Sequence, residues 1–358
     1  MDTDILVIGG GIAGISAAAR LAPHAGVLVV EAEDQLAYHS SGRSAALYEP
    51  NYGRTPVVGL SLASRDYFLS VDGVLKPRGM LILGRADQRA AFEMECTVMG
   101  VAPITVEDAR RMVPILNPQT VALAAHADHA WDIDTDLLIQ NFAKQVRAHG
   151  GSVHLKAPVT AITRTATGWR VTAGGRDITT ATLLNAAGSW ADRVAAMAGV
   201  TPLGLQAFRR SMARIPAPGG HDVSRWPVMF GTGETWYAKP DAGALIVSPA
   251  EEFPMAPHDA YPDDTVLAEG LARYEEMVTE PVTRLIASWA GLRTFAPDRV
   301  LVLGPDPVDP GFVWSAGQGG YGFQTAPAAS QLVADLILGR APSLDAPLVA
   351  ALSPARFR

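Results

Sequence analysis

The sequence predicts an α/β protein, in which a doubly wound, mostly parallel sheet carries an inserted α+β unit built on an antiparallel sheet. Three observations predict it. The first 31 residues read as strand, glycine-rich turn, helix and strand. Strand and helix patterns of the same kind return between 134 and 198 and again after 300. Between about Gln206 and Ser288 the composition shifts to Pro, Trp, Met and Tyr with β-type alternation.

The first strand, Asp4–Ile8, runs straight into Gly9-Gly10-Gly11-Ile12-Ala13-Gly14, and the second, Val27–Val30, ends on Glu31. Gly9 permits the tight strand-to-helix turn, Gly11 lets the backbone approach a pyrophosphate, and Gly14 lets the helix pack close on the strand. The helix N-terminus at Ile12 and Ala13 then faces the phosphates. Glu31 lies 20 positions beyond Gly11 (31 − 11), where a carboxylate accepts hydrogen bonds from ribose hydroxyls, which favours FAD or NAD over NADP. Strand, turn, helix and acid together make a Rossmann-type dinucleotide site.

Helical periodicity follows at Pro56–Leu69 and at Asp134–His149, where Asp134 or Thr135 caps the start and Gly150-Gly151 stops the chain. Val153–Leu155, Val159–Arg164 and Trp169–Thr172 alternate as strands, with turns at Thr167-Gly168 and Gly174-Gly175. Ala181–Asn185 is a buried strand that leads through Ala186–Trp190 into a helix over Ala191–Ala198. Arg210–Ile215, Trp236–Lys239 and Ala244–Ser248 form the separate antiparallel sheet. Val300–Leu303 and Phe312–Ser315 return to the first one, followed by a second glycine loop at Gly317–Gly322 and a helix over Ala326–Gly339. This assigns 1–82, 133–205 and 289–358 to the nucleotide-binding domain, and 83–132 and 206–288 to a substrate domain.

With 358 residues, 48% hydrophobic and 18% charged, the chain has enough material for two packed units. Its net charge of −7 comes without a basic block, which argues against nucleic acid and for small-molecule partners. The apolar stretch Ile5–Ala19 is not read as a signal peptide, because acidic residues precede it and the turn needs its glycines. No run of about 18 apolar residues suggests a membrane span. Cys96 is the only cysteine, which excludes an internal disulfide and a thiolate cluster and suits a reducing cytoplasm. His126, Asp128 and His129 fit no common metal spacing, so no metal is expected.

At His39-Ser40-Ser41-Gly42-Arg43-Ser44-Ala45-Ala46 a family resemblance emerges, and Asn185–Trp190, Trp289–Arg293 and Gly317–Thr325 extend it over nearly the whole chain in order. The sequence resembles the FAD-dependent D-amino-acid oxidase superfamily, and within it bacterial FAD-dependent D-amino-acid dehydrogenases of the D-arginine dehydrogenase type. The resemblance implies oxidation of a D-amino acid to an imino acid by hydride transfer from Cα to flavin N5, followed by hydrolysis to a 2-oxo acid and ammonia. A substrate carboxylate calls for a planar, permanently charged fork, and Arg210 and Arg293 match the family positions for it. Tyr52 and Tyr237 match positions that add phenolic hydrogen bonds, and the Gly320 backbone matches one facing the substrate amine. Since strand residues alternate in direction, only one of Arg209 and Arg210 can serve the site.

For the cofactor, the resemblance implies that Ser40, Ser41, Gly42, Arg43, Ser44 and Ala46 cross the flavin, with His39 as structural support. Ala32 accompanies Glu31, Val159 contacts the adenine, and Ala187, Gly188 and Trp190 supply the last dinucleotide contacts. Gly319, Gly320, Tyr321, Gly322, Phe323, Gln324 and Thr325 lead into a helix whose N-terminal dipole would stabilise reduced flavin. No residue is expected to act as an obligate acid or base, and FAD is expected to be non-covalent because no cysteine lies near that loop. The electron acceptor, whether oxygen, a quinone or an electron-transfer protein, is not legible. A cytoplasmic location is expected, peripheral to a membrane if the acceptor is a quinone.

The chain departs from its arginine-oxidising relatives at three places. Gly79 stands where they carry a glutamate, Leu47 where they carry a histidine, and Phe230 where they carry a smaller aliphatic residue. Without a counter-charge a buried cation costs several kcal/mol. Neutral or apolar D-amino acids are therefore expected as substrates, unless Glu49 or another acid substitutes from elsewhere. N-methyl amino acids, glycine or a 2-hydroxy acid form the alternative substrate class, and a non-catalytic FAD-binding subunit the alternative of another kind.

Overall fold

The computed structural model describes residues 2–358. Its first sheet runs in the order 159–165, 168–173, 176–185, 3–8, 27–30, 152–154, with 312–316 beside 176–185 and 302–305 outermost. The strand 3–8 pairs in parallel with 27–30 on one side and with 180–185 on the other. Its apolar residues are buried on both faces, as helices cover the sheet. Ile12–Leu21 packs between the sheet and the helices Thr135–Ala148 and Gly322–Ile337. That close approach depends on two glycines. Gly9 has φ +108, and a Cβ on Gly14 would lie 1.9 Å from the Gly9 carbonyl oxygen.

The second sheet runs 253–255, 206–216, 244–248, 237–241, 228–231, 80–84, 123–127, 102–104, and 287–295 lies along the other edge of 206–216. It is antiparallel except where 228–231 pairs in parallel with 80–84. A small third sheet joins 47–48, 131–133 and 75–77 between the two large ones. No helix among the described residues is long and apolar enough to cross a membrane.

Several elements differ from the sequence reading. The boundary at 82/83 cuts the strand Met80–Gly84, and that at 288/289 cuts Ala287–Phe295, which pairs residue for residue with Gln206–Arg214 in the second sheet. A strand's own alternation does not say which sheet it joins. The strand Arg176–Asn185 begins five residues before the expected Ala181 (181 − 176), because its polar first half pairs antiparallel with 169–173 across the Gly174-Gly175 turn. The last long helix begins at Gly322 rather than Ala326. Pro327, which reads as a helix start, sits in the second turn, where its missing N–H removes one bond from an otherwise continuous ladder.

Candidate active site

The glycine turn, the second strand's end and the segment after it enclose one cavity, lined by Gly9, Gly11, Glu31, Ala32, His39, Val159, Ala187, Gly188 and Trp190. Its acid is fixed by the backbone. Glu31 Oε2 accepts the Gly10 N–H at 2.6 Å and Oε1 accepts the Glu33 N–H at 3.0 Å, leaving further lone pairs on both oxygens. A second cavity, lined by Ile12, Ala13, Arg43, Ser44, Ala46, Leu47, Arg210, Arg293, Gly319, Gly320, Gly322, Phe323 and Gln324, shares Gly11, Ser40, Ser41, Ala186 and Gly188 with the first. The two are therefore halves of one trough. Its waist passes the N-terminus of Ile12–Leu21, where a Cβ on Gly11 would come 3.2 Å from Ser41 Oγ. An extended dinucleotide fits this shape, with acid, helix dipole and glycine cradle in sequence along it.

Gly14, Gly42, Tyr321 and Thr325 serve the trough from outside. Gly14 and Gly42 are packing positions; a Cβ on Gly42 would lie 2.3 Å from the Ala37 carbonyl oxygen. Tyr321 and Thr325 are buried and line neither half, Thr325 Oγ1 donating to the Tyr321 carbonyl at 2.8 Å. Ser41 Oγ accepts the Ile12 N–H at 3.0 Å and so caps the helix end. Ser40 Oγ donates to the Leu292 carbonyl at 2.6 Å. The Arg43 guanidinium is turned to the second unit, with Asp259 at 2.5 Å and the Ala260 and Ala290 carbonyls at 2.9 and 3.0 Å.

The register of the second sheet explains the arginines. Arg293 lies opposite Phe208 and Arg210 opposite Gly291, so both guanidinium groups share one face while Arg209 points to the other. Arg209 is buried rather than solvated, between Glu251 at 3.6 Å and Asp263 at 3.6 Å. Arg210 is 4% exposed. Its Nε donates to the Glu251 carbonyl at 3.0 Å, and one terminal nitrogen lies 3.3 Å from Glu252, which also holds Arg299 at 2.7 Å. Burial, with Arg293 close by, lowers the pKa of Arg210.

Arg293 differs. No carboxylate pairs with it among the described residues, and its guanidinium lies against the Gly320 backbone, where a Cβ would meet Cζ at 3.0 Å. Burial works against its charge, but the phenols of Tyr52 and Tyr237 and the carboxylate of Glu234 outweigh it and hold its pKa above the ordinary arginine value. Burial pushes the Tyr52 phenol up, so it stays protonated and able to donate. The Tyr237 hydroxyl donates to Met212 Sδ at 3.1 Å, a weak acceptor that a carboxylate oxygen displaces readily.

Leu47 and Phe230 pack together with Met80, Ile82, Phe92 and Cys96. Gly79 has φ +66, and a Cβ there would lie 3.2 Å from His126 Nε2 and 3.3 Å from the Ala127 carbonyl oxygen. Glu49 is buried behind the trough, its Oε1 accepting the Asn51 N–H at 3.0 Å and its Oε2 3.1 Å from His129 Nε2. Burial pushes the Glu49 carboxyl up to about 8. The sequence reading missed Met212, Glu234, Glu252 and Lys239. Met212 and Lys239 left a trace, since each stands two residues after an expected site residue, Arg210 or Tyr237, in a strand and shares its inward face.

The FAD dependent oxidoreductase (DAO) family profile matches residues 4–336. The chain is 25% identical to FAD-dependent oxidoreductase domain-containing protein 1 of Bos taurus, over 94% of this chain and 81% of that protein. A shorter match, 47% identical over 60 residues, covers 17% of this chain and 14% of D-amino acid dehydrogenase 2 of Ralstonia nicotianae. Among solved structures, glycine oxidase from Geobacillus kaustophilus superposes with a TM-score of 0.83 at 22% identity, covering 97% of each chain.

Proposed function

The chain belongs to the DAO family of FAD-dependent oxidoreductases, and from that premise we propose that it oxidises D-amino acids with neutral or apolar side chains to imino acids. One observation carries the reading. Arg293 is a charged fork without a carboxylate of its own, facing a cavity continuous with the nucleotide trough. The unmet need of such a group is a planar anion, and the carboxylate of an amino acid supplies it. FAD, when bound, supplies the two-electron acceptor for the α-hydrogen.

Gly11, Ser41 and the Ile12–Leu21 N-terminus would hold the pyrophosphate, Glu31 the ribose, and Ser44–Leu47 with Gly319–Gly322 the isoalloxazine ring. Arg293 and Arg210 bind the carboxylate, Tyr52 and Tyr237 donate to it, and the Gly320 carbonyl is available to the amine. This fixes the Cα–H bond in one direction, which is the larger part of the protein's task in hydride transfer. Leu47 and Met212 give the side chain an apolar wall, Phe230 packs against Tyr237 outside the trough lining, and Gly79 brings no acid. Glu49, like Tyr52 and Tyr237, is not among the lining residues, and burial pushes its carboxyl up to about 8, so in this reading it is neutral and does not replace the missing charge. Cys96 is buried among apolar residues of the second unit, consistent with FAD held non-covalently.

The test is an anaerobic screen for bleaching of the flavin by D-amino acids, glycine, sarcosine and 2-hydroxy acids. D-Leu, D-Met and D-Phe are expected to reduce it fastest. Faster reduction by a 2-hydroxy acid or an N-methyl amino acid would replace the substrate class, and no reduction by any of them would favour a binding subunit. Reoxidation of the reduced protein with oxygen, a quinone or an electron-transfer protein then identifies the acceptor.

A further inference from the structure

Ser44, Ala45, Ala46 and Leu47 line the trough on the side where the second sheet meets it. The carbonyls of Arg43, Ala45 and Ala46 are taken up from the sheet, that of Ala46 also by the Ile133 N–H at 3.4 Å. Trp289 Nε1 donates to the Arg43 carbonyl at 3.1 Å, and Lys239 Nζ donates to the Ala45 and Ala46 carbonyls at 3.0 and 3.1 Å. In a trans peptide the N–H points opposite to the carbonyl of the preceding residue. Carbonyls of 43, 45 and 46 turned to the sheet therefore turn the N–H groups of Ser44, Ala46 and Leu47 towards the trough. Those of Ser44 and Ala46 have no acceptor among the described residues.

Lys239 is 9% exposed, and its ammonium forms an ion pair with Asp132 Oδ1 at 3.1 Å. Asp132 also accepts two bonds from Arg78, at 2.8 and 2.5 Å, so one carboxylate is shared by two cations. The cluster carries a net positive charge behind the 44–47 segment, where little water screens it.

We propose that Lys239 is a positioning residue for the redox centre: it turns the 45–47 peptide groups so that their N–H dipoles, that of Ala46 without another acceptor, face the cofactor, and with Arg78 and Asp132 it makes that side of the trough electron-attracting. This rests on the reading that the isoalloxazine ring lies against Ser44–Leu47. Donors fixed in advance need no reorganisation when the ring gains negative charge, so the effect is on reduction rather than on substrate affinity.

The test compares holoenzymes of Lys239→Met, Lys239→Arg and Asp132→Asn with the unaltered protein, measuring FAD content, the flavin midpoint potential against a redox dye, and KM and kcat. Lys239→Met is expected to keep its FAD and KM while the reduced-to-oxidised ratio at a fixed dye potential falls about tenfold, about 30 mV for a two-electron couple. Lys239→Arg, which keeps the charge, should recover part of that loss. Asp132→Asn should shift the ratio the opposite way, since it leaves the cations uncompensated. A Lys239→Met holoenzyme with native potential and reduction rate overturns the inference. If that variant does not load FAD, Asp132→Asn decides: a raised ratio supports the inference, and an unchanged or lowered one overturns it. The carboxylate-site reading is judged separately, by the turnover of Arg293→Met.

Discussion

At the nucleotide end of the trough the groups that would hold a ligand are backbone N–H donors from one turn and a single carboxylate, Glu31, itself fixed by two backbone bonds. At the other end they are side chains, Arg210 and Arg293, brought onto one face by antiparallel pairing of Gln206–Arg214 with Ala287–Phe295. The first kind of site depends on local conformation and tolerates little variation in glycine positions. The second depends on register, and each member can be exchanged to alter what binds. Even the two arginines differ: Arg210 shares Glu252 with Arg299, whereas Arg293 has no acid of its own.

The comparison breaks most severely at Arg293. Arg293→Met should lower kcat/KM for D-amino acids at least about a hundredfold, roughly 2.7 kcal/mol of transition-state stabilisation, with normal FAD content. Arg210→Met should cost about thirtyfold, because its charge is already part-neutralised, and should also lower Tm by leaving the Glu251 carbonyl without its donor. Equal losses in the two variants would show that the Glu252 pairing makes no difference to function.

At the opposite end, Glu31→Ala should weaken FAD binding roughly tenfold, about 1.4 kcal/mol by fluorescence titration, with kcat at saturating FAD little changed. A variant that bound FAD as tightly but turned over poorly would reverse the assignment of the two ends. A difference of similar size is expected between substrates. D-Leu, D-Met or D-Phe should exceed D-Arg at least about tenfold in kcat/KM, and Gly79→Glu should narrow the gap if the positive φ tolerates it. A native preference for D-Arg would mean that an acid such as Glu234 serves the pocket.

The smallest effect concerns Glu49, which belongs to neither end. Its pKa is raised in the folded protein from 4.5 to about 8. The neutral carboxyl therefore stabilises the fold fully below about 4.5, and this is lost as pH rises through about 8. His129, lowered by burial from 6.5, acts in the opposite sense as pH falls below that value. Between pH 6.5 and 8.5 Glu49 is thus isolated, and Tm should decline less in Glu49→Gln than in the unaltered protein.

Legibility followed the same division. Gly9, Gly11 and Glu31 could be placed from spacing alone, because turn, helix start and strand end lie within a few residues of one another. The positions of Arg210 and Arg293 came only through resemblance, since no local pattern says that residues so far apart pair in register. Glu252 left no signal, and Lys239 only its strand alternation, for a related reason: each acts through atoms of another segment, one on a guanidinium, the other on the Ala45 and Ala46 carbonyls. The 322–337 helix was misread at its start because Pro327 is locally a helix-start signal, and packing against Ile12–Leu21 overrides it.

The strand order of the first sheet also sets a timetable. Residues 3–8 must wait for 180–185, and 183–185 must wait for 312–314, before that sheet is complete, and the trough's last wall arrives only with 318–324. At roughly 5–20 residues per second of synthesis, the first strand emerges on the order of 15 s or more before its sheet can close. Throughout that interval strands that end up buried on both faces have unpaired edges, so a nascent chain halted near residue 300 should hold no FAD and should depend on chaperones to stay unaggregated.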